Sequence, residues 1–386
     1  MFFVLILCLL FGFLCFGILG LNFYFARKAA RKPWNVKVSK SHLPSVSIIV
    51  PTHNESEIID FKLRNLAKLE YSKHLMQILF IDSASNDLTA AKIKQFISKN
   101  PDLKMNLIIE SKRKGKTFAL NNALKKCDGE VVVISDADCF WPYDILINSL
   151  PYLNDPAIAA VSGPKELLNS EKSSVTKGEA DYLNSMNIVK LGESKESSTV
   201  LFEGGFSAYK KQLLDSFDPY MIGSDDCGTV IRILEKGFRA IMVPEAKFFT
   251  AFPKTWKGKV DIKIRRSVQL VKLFWKYGSL LLKGKIQSGK KIVLKNLFVY
   301  LVTPWFFVAF FFATIYLMFL YPLTFFLFGI FLVPKVNKYA IEAILNYVVL
   351  IAAVISAIFG SSFLIWKKPE DRILLNEEML VKKSLI

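Results

Sequence analysis

The chain is poor in cysteine, histidine and acid. Its five cysteines (Cys8, Cys15, Cys127, Cys139 and Cys227) are an odd set, with no C-x-x-C pair and no histidine at zinc-ligand spacing. That argues against a disulfide framework and suits a reducing compartment. Residues 1–25 hold no charge, so this stretch lacks the basic start of a cleaved leader. There is no recognition-helix, zinc or aromatic RNA-binding motif. The excess of 51 Lys and Arg over 33 Asp and Glu therefore does not read as a nucleic-acid surface, and no nucleic-acid partner is expected. Internal repeats and low-complexity tracts are missing too.

Apolar residues are in excess. They make up 52% of the chain, include 33 Phe, and concentrate at residues 1–25 and 296–366. The middle has ordinary composition and is long enough to bury a full α/β core. Basic residues gather beside the apolar runs: Arg27, Lys28, Arg31 and Lys32, then residues 254–266, then 283–295. Such flanks mark the cytoplasmic side of a span and attract anionic lipid.

These features divide the chain into six parts. Residues 1–25 read as an uncleaved transmembrane anchor, 26–44 as a basic linker and 45–255 as the main domain. Residues 256–295 read as amphipathic interface helices, 296–366 as about three transmembrane segments and 367–386 as a polar tail. The run 296–333 is too long for one span, and Pro322 offers a turn, so a tight pair is expected before a last span at 341–366. The expected location is the cell membrane, with the domain cytoplasmic.

Inside the domain, short apolar strands alternate with helical stretches. Strands are predicted at 46–51, 77–82, 106–110, 130–136, 158–163, 199–205 and 239–244. Helices are predicted at 55–69, 87–98, 117–126, 175–190, 226–236 and 260–276. The alternation predicts an α/β fold with a mostly parallel, Rossmann-like sheet and helices on both faces. In such sheets the ligand lies beyond the carboxyl ends of the strands.

Those ends share one character: PTHNES, IDSASND, ESKRKGK and DADC. Asp82 can accept from a base or ribose, and Thr52, Asn54 and Glu55 can ring a nucleoside. Lys114, Gly115 and Lys116 suit a diphosphate. Asp136 and Asp138 suit a hard divalent ion that also takes diphosphate oxygens. Asp82 equally reads as a turn or capping residue, and Gly115 as a turn glycine.

With KGKTFALNNAL, EGGFSAY and SDD added, the ordered motifs resemble glycosyltransferase family 2 over residues 46 to about 270. The resemblance implies the GT-A fold, inversion at the anomeric carbon, a nucleotide-diphosphate sugar donor and Mn2+ or Mg2+. It implies that Pro51, Thr52, Glu55 and Asp82 hold the nucleoside, with Lys116 and Asn121 near the donor. It assigns Asp136 and Asp138 to the metal. Glu203, Gly204 and Gly205 fall near the acceptor. Asp225–Asp226 stands where the family has Glu-Asp, and the second acid, Asp226, would be the base. The plainer alternative is that this acidic pair only favours a helix start.

Processive relatives carry Gln-x-x-Arg-Trp after the base. Here Arg265 and Arg266 lack the tryptophan and Gln269 follows them, so the arginines are expected on the diphosphate without a platform for a growing chain. The reading is a non-processive transferase acting on a lipid-linked or glycan acceptor at the membrane lipid. A processive synthase and a non-catalytic nucleotide-binding membrane protein are the alternatives.

Overall fold

The structure, a computed structural model, describes residues 2–39, 42–323, 334–359 and 375–386. The N-terminal run is helical, α1 (Phe2–Gly12) passing through a π turn at Phe13–Gly17 into α2 (Ile18–Ala30). The domain begins with β1 (Val46–Thr52), α3 (Ile59–Ala67), β2 (Met76–Ser83), α4 (Thr89–Lys99), β3 (Lys104–Glu110), α5 (Lys116–Leu124) and β4 (Val131–Ile134). It continues with α6 (Ile145–Ser149), β5 (Ile158–Ser162), β6 (Lys165–Leu167), α7 (Ser174–Glu196), β7 (Ser207–Lys210), α8 (Cys227–Glu235), β8 (Arg239–Met242) and β9 (Phe248–Thr250). After it come α9 (Trp256–Leu282), α10 (Lys290–Leu297), α11 (Thr303–Leu320), α12 (Pro334–Ile358) and α13 (Glu377–Val381).

Seven strands form one sheet in the order β3-β2-β1-β4-β7-β5-β8. The β3-β2-β1-β4 half is parallel, and so is the β5-β8 pair, while β7 runs antiparallel between β4 and β5. Strand alternation sends side chains into two cores. Ile48, Val50, Ile78, Phe80 and Val133 pack under α3, α4 and α6. Ile49, Leu79, Ile81, Val132 and Ile134 pack against α5, α8 and the second half of α9. Strands buried on both faces read as the continuous apolar runs seen in the sequence.

One predicted strand is corrected. Residues 199–205 join no ladder, and the strand lies just after them as β7. Val200, Leu201 and Phe202 are apolar because they fill the second core, while Gly204 and Gly205 delay entry into the sheet. Burial without pairing gives the same pattern as a strand.

Among the described residues, three helices are long and apolar enough to cross a membrane: Phe3–Ala30, Lys290–Leu320 and Ala340–Ile358. The partner expected for α11 in a tight pair falls on residues 324–333, outside the described residues, as does most of the run beyond 359. Helix α2 packs along α7, where Lys195 Nζ donates to the Ala30 carbonyl at 2.8 Å. Helix α9 is packed on two sides, Val268 and Val271 against Ala353 and Val354 of α12, and Leu273, Phe274 and Tyr277 in the second core. The C-terminal residues pack on the domain: Leu375, Leu380 and Leu385 lie with Ile58, Phe140 and Phe249.

Candidate active site

The parallel half of the sheet aims its strand ends at one cavity of about 660 Å³. Pro51 and Thr52 at the end of β1 and Glu55 beyond it, Lys116 at the start of α5, and Asp136 and Asp138 after β4 all line it. From the irregular half come Glu203, Gly204, Gly205, Asp225 and Asp226, and α9 adds Arg265, Arg266 and Gln269.

Two predicted residues do not line the cavity. Asp82 is buried at the end of β2, where its carboxylate accepts from Ser85 Oγ at 2.5 Å, Ser85 N at 3.0 Å and Thr52 Oγ1 at 3.3 Å. It shapes the turn behind the site. Asn121 exchanges two hydrogen bonds with the Phe217 backbone, at 2.7 and 3.1 Å, and so ties α5 to the loop that leads to Asp225.

At the centre stands Lys116. Gly115 takes φ +106°, a conformation that favours glycine, and this turn makes Lys116 the first residue of α5. Its Nζ lies 2.6 Å from Asp136 Oδ1 and 2.9 Å from Asp225 Oδ2. Burial opposes the ammonium, but Asp136, Asp225 and Asp226 outweigh it and hold its pKa well above the lysine range. A Cβ on Gly204 would sit 2.8 Å from this Nζ and 3.1 Å from Asp136 Oδ2. Glycine at 204 therefore leaves room for the ion pair itself.

Asp225 and Asp226 are neighbours in different states. Asp225 Oδ2 is buried and, beyond its ion pair, takes no aligned hydrogen bond. Burial pushes its carboxyl up to about 6; Lys116 opposes this, and Asp226 and Asp136 add to it. Asp226 caps α8: its Oδ1 accepts from Cys227 N at 2.7 Å and Ser224 Oγ at 2.5 Å. The helix-start reading of the pair is thus correct for Asp226 and compatible with a second role, because Oδ1 carries both bonds and the residue faces the cavity.

Asp136, Asp138 and Cys139 place one ligand atom each within 4.8 Å of one another. Burial, with help from Asp136, pushes the Cys139 thiol up to about 12, so it stays protonated. The two carboxylates are the hard oxygen donors a Mg2+ or Mn2+ ion takes, and the buried, underbonded Asp225 oxygen close by fits a further cation in this place.

Sequence reasoning missed three supporting residues. Lys62 of α3 is fully buried and donates to Ser135 Oγ at 2.5 Å and the Cys139 carbonyl at 2.7 Å, so it brackets the acidic loop from behind. Burial draws its pKa down to about 7, against the pull of Cys139 and Asp136. Its only sequence signal is a lysine on the buried face that Ile59, Leu63 and Leu66 define. Asp218, at φ +45°, accepts from Ile222 N and Gly223 N and shapes the loop ahead of Asp225. Gln269 donates to the Gly223 carbonyl and pins the same loop to α9.

Known proteins resemble this chain in sequence and fold. A solved mannosyltransferase, PcManGT from Pyrobaculum calidifontis in complex with GDP-Man and Mn2+, superposes with a TM-score of 0.80 at 30% identity. The match covers 93% of this chain and 100% of that one, and it identifies the fold as GT-A. A probable glycosyltransferase, YdaM of Bacillus subtilis, is 26% identical over 56% of this chain and 52% of its own length. The poly-beta-1,6-N-acetyl-D-glucosamine synthase of Staphylococcus aureus is 26% identical over 62% of this chain and 59% of its own. The chain thus spans a little over half the length of these two curated relatives. Residues 44–268 match the family model described as glycosyltransferase like family 2, and the chain belongs to that family.

Proposed function

We propose that the chain is a metal-dependent, inverting glycosyltransferase that moves one sugar per encounter from a nucleotide-diphosphate donor to an acceptor presented at the membrane. The observation that carries this is the single cavity joining strand-end residues, the two acidic pairs and Asn346 of the candidate span α12. Similarity to PcManGT over nearly the whole chain makes GDP-mannose the first donor to test.

Pro51, Thr52 and Glu55 bind the nucleoside, and Asp82 supports them through Thr52. Asp136 and Asp138 would hold the divalent ion, which when bound offsets the charge of the leaving diphosphate. Lys116 and Arg265 add positive charge at that end. Asp226 takes the proton of the acceptor hydroxyl, its Oδ1 fixed by Ser224 and Cys227 so that Oδ2 faces the nucleophile. The acceptor oxygen bonds to the anomeric carbon as the carbon–phosphate-oxygen bond breaks, the proton stays on Asp226, and the nucleoside diphosphate leaves. The basic flanks of the candidate spans support a cytoplasmic domain at the cell membrane.

Membranes containing wild type or Asp226→Asn, given labelled nucleotide sugars with Mn2+ or Mg2+, test the reading. Label in the lipid extract that disappears in the variant is the expected result. Label in long water-soluble chains would favour a processive synthase, the reading suggested by the Staphylococcus relative. No transfer sensitive to the variant from any donor sinks the catalytic proposal.

A further inference from the structure

The acidic loop is held at its far end by residues outside the cavity. Asp136 and Asp138 follow β4, and the chain beyond them is fixed at Phe140 and Trp141. Phe140 exchanges two backbone hydrogen bonds with Phe249 of β9, both at 2.8 Å. Asn65 of α3 holds Trp141 by both its backbone groups. The Asn65 Nδ2 donates to the Trp141 carbonyl at 2.8 Å, and its Oδ1 accepts from Trp141 N at 3.0 Å. Trp141 Nε1 in turn donates to the Gly205 carbonyl at 2.7 Å, which ties this stretch to the glycines of the cavity wall.

Both supports, α3 and β9, also carry residues 375–386. Leu380, Leu385 and Phe140 are fully buried where the three leucines meet Ile58, Phe140 and Phe249. Asn65 Nδ2 also donates to the Leu385 carbonyl, at 2.6 Å. Asn65 is fully buried, and these bonds engage both its N–H donors and its oxygen. Loss of the Leu385 carbonyl leaves a buried N–H without a partner, and the amide must turn away from Trp141 to find one.

Helix α13 has five residues, too few to be stable by itself. Asn376 caps its start, the Oδ1 accepting from Met379 N at 3.0 Å. Ser384, at φ +54°, turns the chain back so that Leu385 N donates to the Leu380 carbonyl at 2.9 Å. This hook sets the two leucines on one face, and its folding and its docking are a single event.

We infer that residues 375–386 are a positioning element for the metal-binding carboxylates, acting on the Asp136–Asp138 loop through Asn65 and Phe140. This rests on the assignment of Asp136 and Asp138 to the metal in the reading above. The exposed pair of Arg64 and Glu377 adds little; the leucines and the Leu385 carbonyl carry the effect.

The test is Mn2+ binding to the full-length chain in detergent micelles, with GDP or UDP present, read by paramagnetic resonance. Leu380→Asp puts a charge into the leucine cluster and releases the segment. Faster trypsin cleavage after Lys382 and Lys383 reports that release. Mn2+ affinity should fall by about tenfold, the low end of the range for a group outside the ligand shell, with the circular dichroism spectrum retained. Leu380→Met keeps an apolar side chain of similar volume and should retain wild-type affinity. Asn65→Leu breaks the link from the side of α3 and should lower the affinity at least as much, so it decides the matter where Leu380→Asp fails to fold. Wild-type affinity in Asn65→Leu, or in Leu380→Asp with the segment released, overturns the inference and leaves the metal assignment standing. Equal losses in Leu380→Met and Leu380→Asp assign the effect to core packing and overturn it too. Wild type that binds no Mn2+ with either nucleotide sinks the metal assignment, and this inference with it.

Discussion

The two ends of the cavity are built from opposite charges on different scaffolds. At one end Asp136, Asp138, Asp225 and Asp226 crowd around Lys116, carried on strand ends and a helix cap. At the other, Lys165 of β6 and Lys190 of α7 close on Glu203, with the exposed Arg266 of α9 on the same cavity wall. Each end has a single residue of the minority sign, and it prevents the others from repelling one another apart. The acidic end is short of cations. The difference teaches a contrast of charge: the acidic end offers hard oxygen donors to a cation, while the basic end holds its one acid between two ammonium groups.

The sharpest way to break this comparison is to remove one function from the acidic end alone. Asp226→Asn should lower kcat by roughly 10²–10⁴-fold, the range for a lost general base, while calorimetry shows donor affinity unchanged. A parallel loss of donor binding would mean that Asp226 serves the metal end as a whole. Asp138→Asn should weaken metal-dependent donor binding by about 100-fold or more, beyond the range for a lost outer-shell partner, without lowering the melting temperature of the metal-free protein. Lys62→Met removes the brace behind the acidic loop. Its Mn2+ affinity, read by paramagnetic resonance, should fall by roughly 10–100-fold while the circular dichroism spectrum of the folded protein is retained, which separates bracing from global damage.

The smallest effect is on stability. With its carboxyl at about 6, above the usual 3.8, Asp225 keeps its proton longer in the folded than in the unfolded metal-free chain. The stability it confers is full below about pH 4 and is lost as pH rises through about 6. Melting temperatures of metal-free wild type should fall across that window, and Asp225→Asn should flatten the profile.

The parallel half of the fold was legible because its strands are buried on both faces and its strand ends carry polar residues in order. The acidic motif after β4 could be read for the same reason: two carboxylates ending four buried residues, Val131 to Ile134, are conspicuous. The other half resisted. β7 is reversed and short, and the run before it mimics a strand through burial alone. Asp82 and Asn121 sit in motifs that suggest ligand contact, yet their side chains turn back to bond the backbone and neighbouring hydroxyls. Lys62, Lys165 and Lys190 look like solvated lysines in sequence. Their burial depends on tertiary neighbours that no local pattern records.

The return of the C-terminal segment to the domain has a topological consequence. Ala30 touches α7, while Leu385 reaches α3, its carbonyl accepting from Asn65 Nδ2 at 2.6 Å. The domain-side end of the first apolar helix and the C-terminal segment therefore rest on the same domain. For candidate spans Lys290–Leu320 and Ala340–Ile358 to cross a bilayer with Leu385 still on α3, the crossings between Lys290 and Leu375 would have to be even in number.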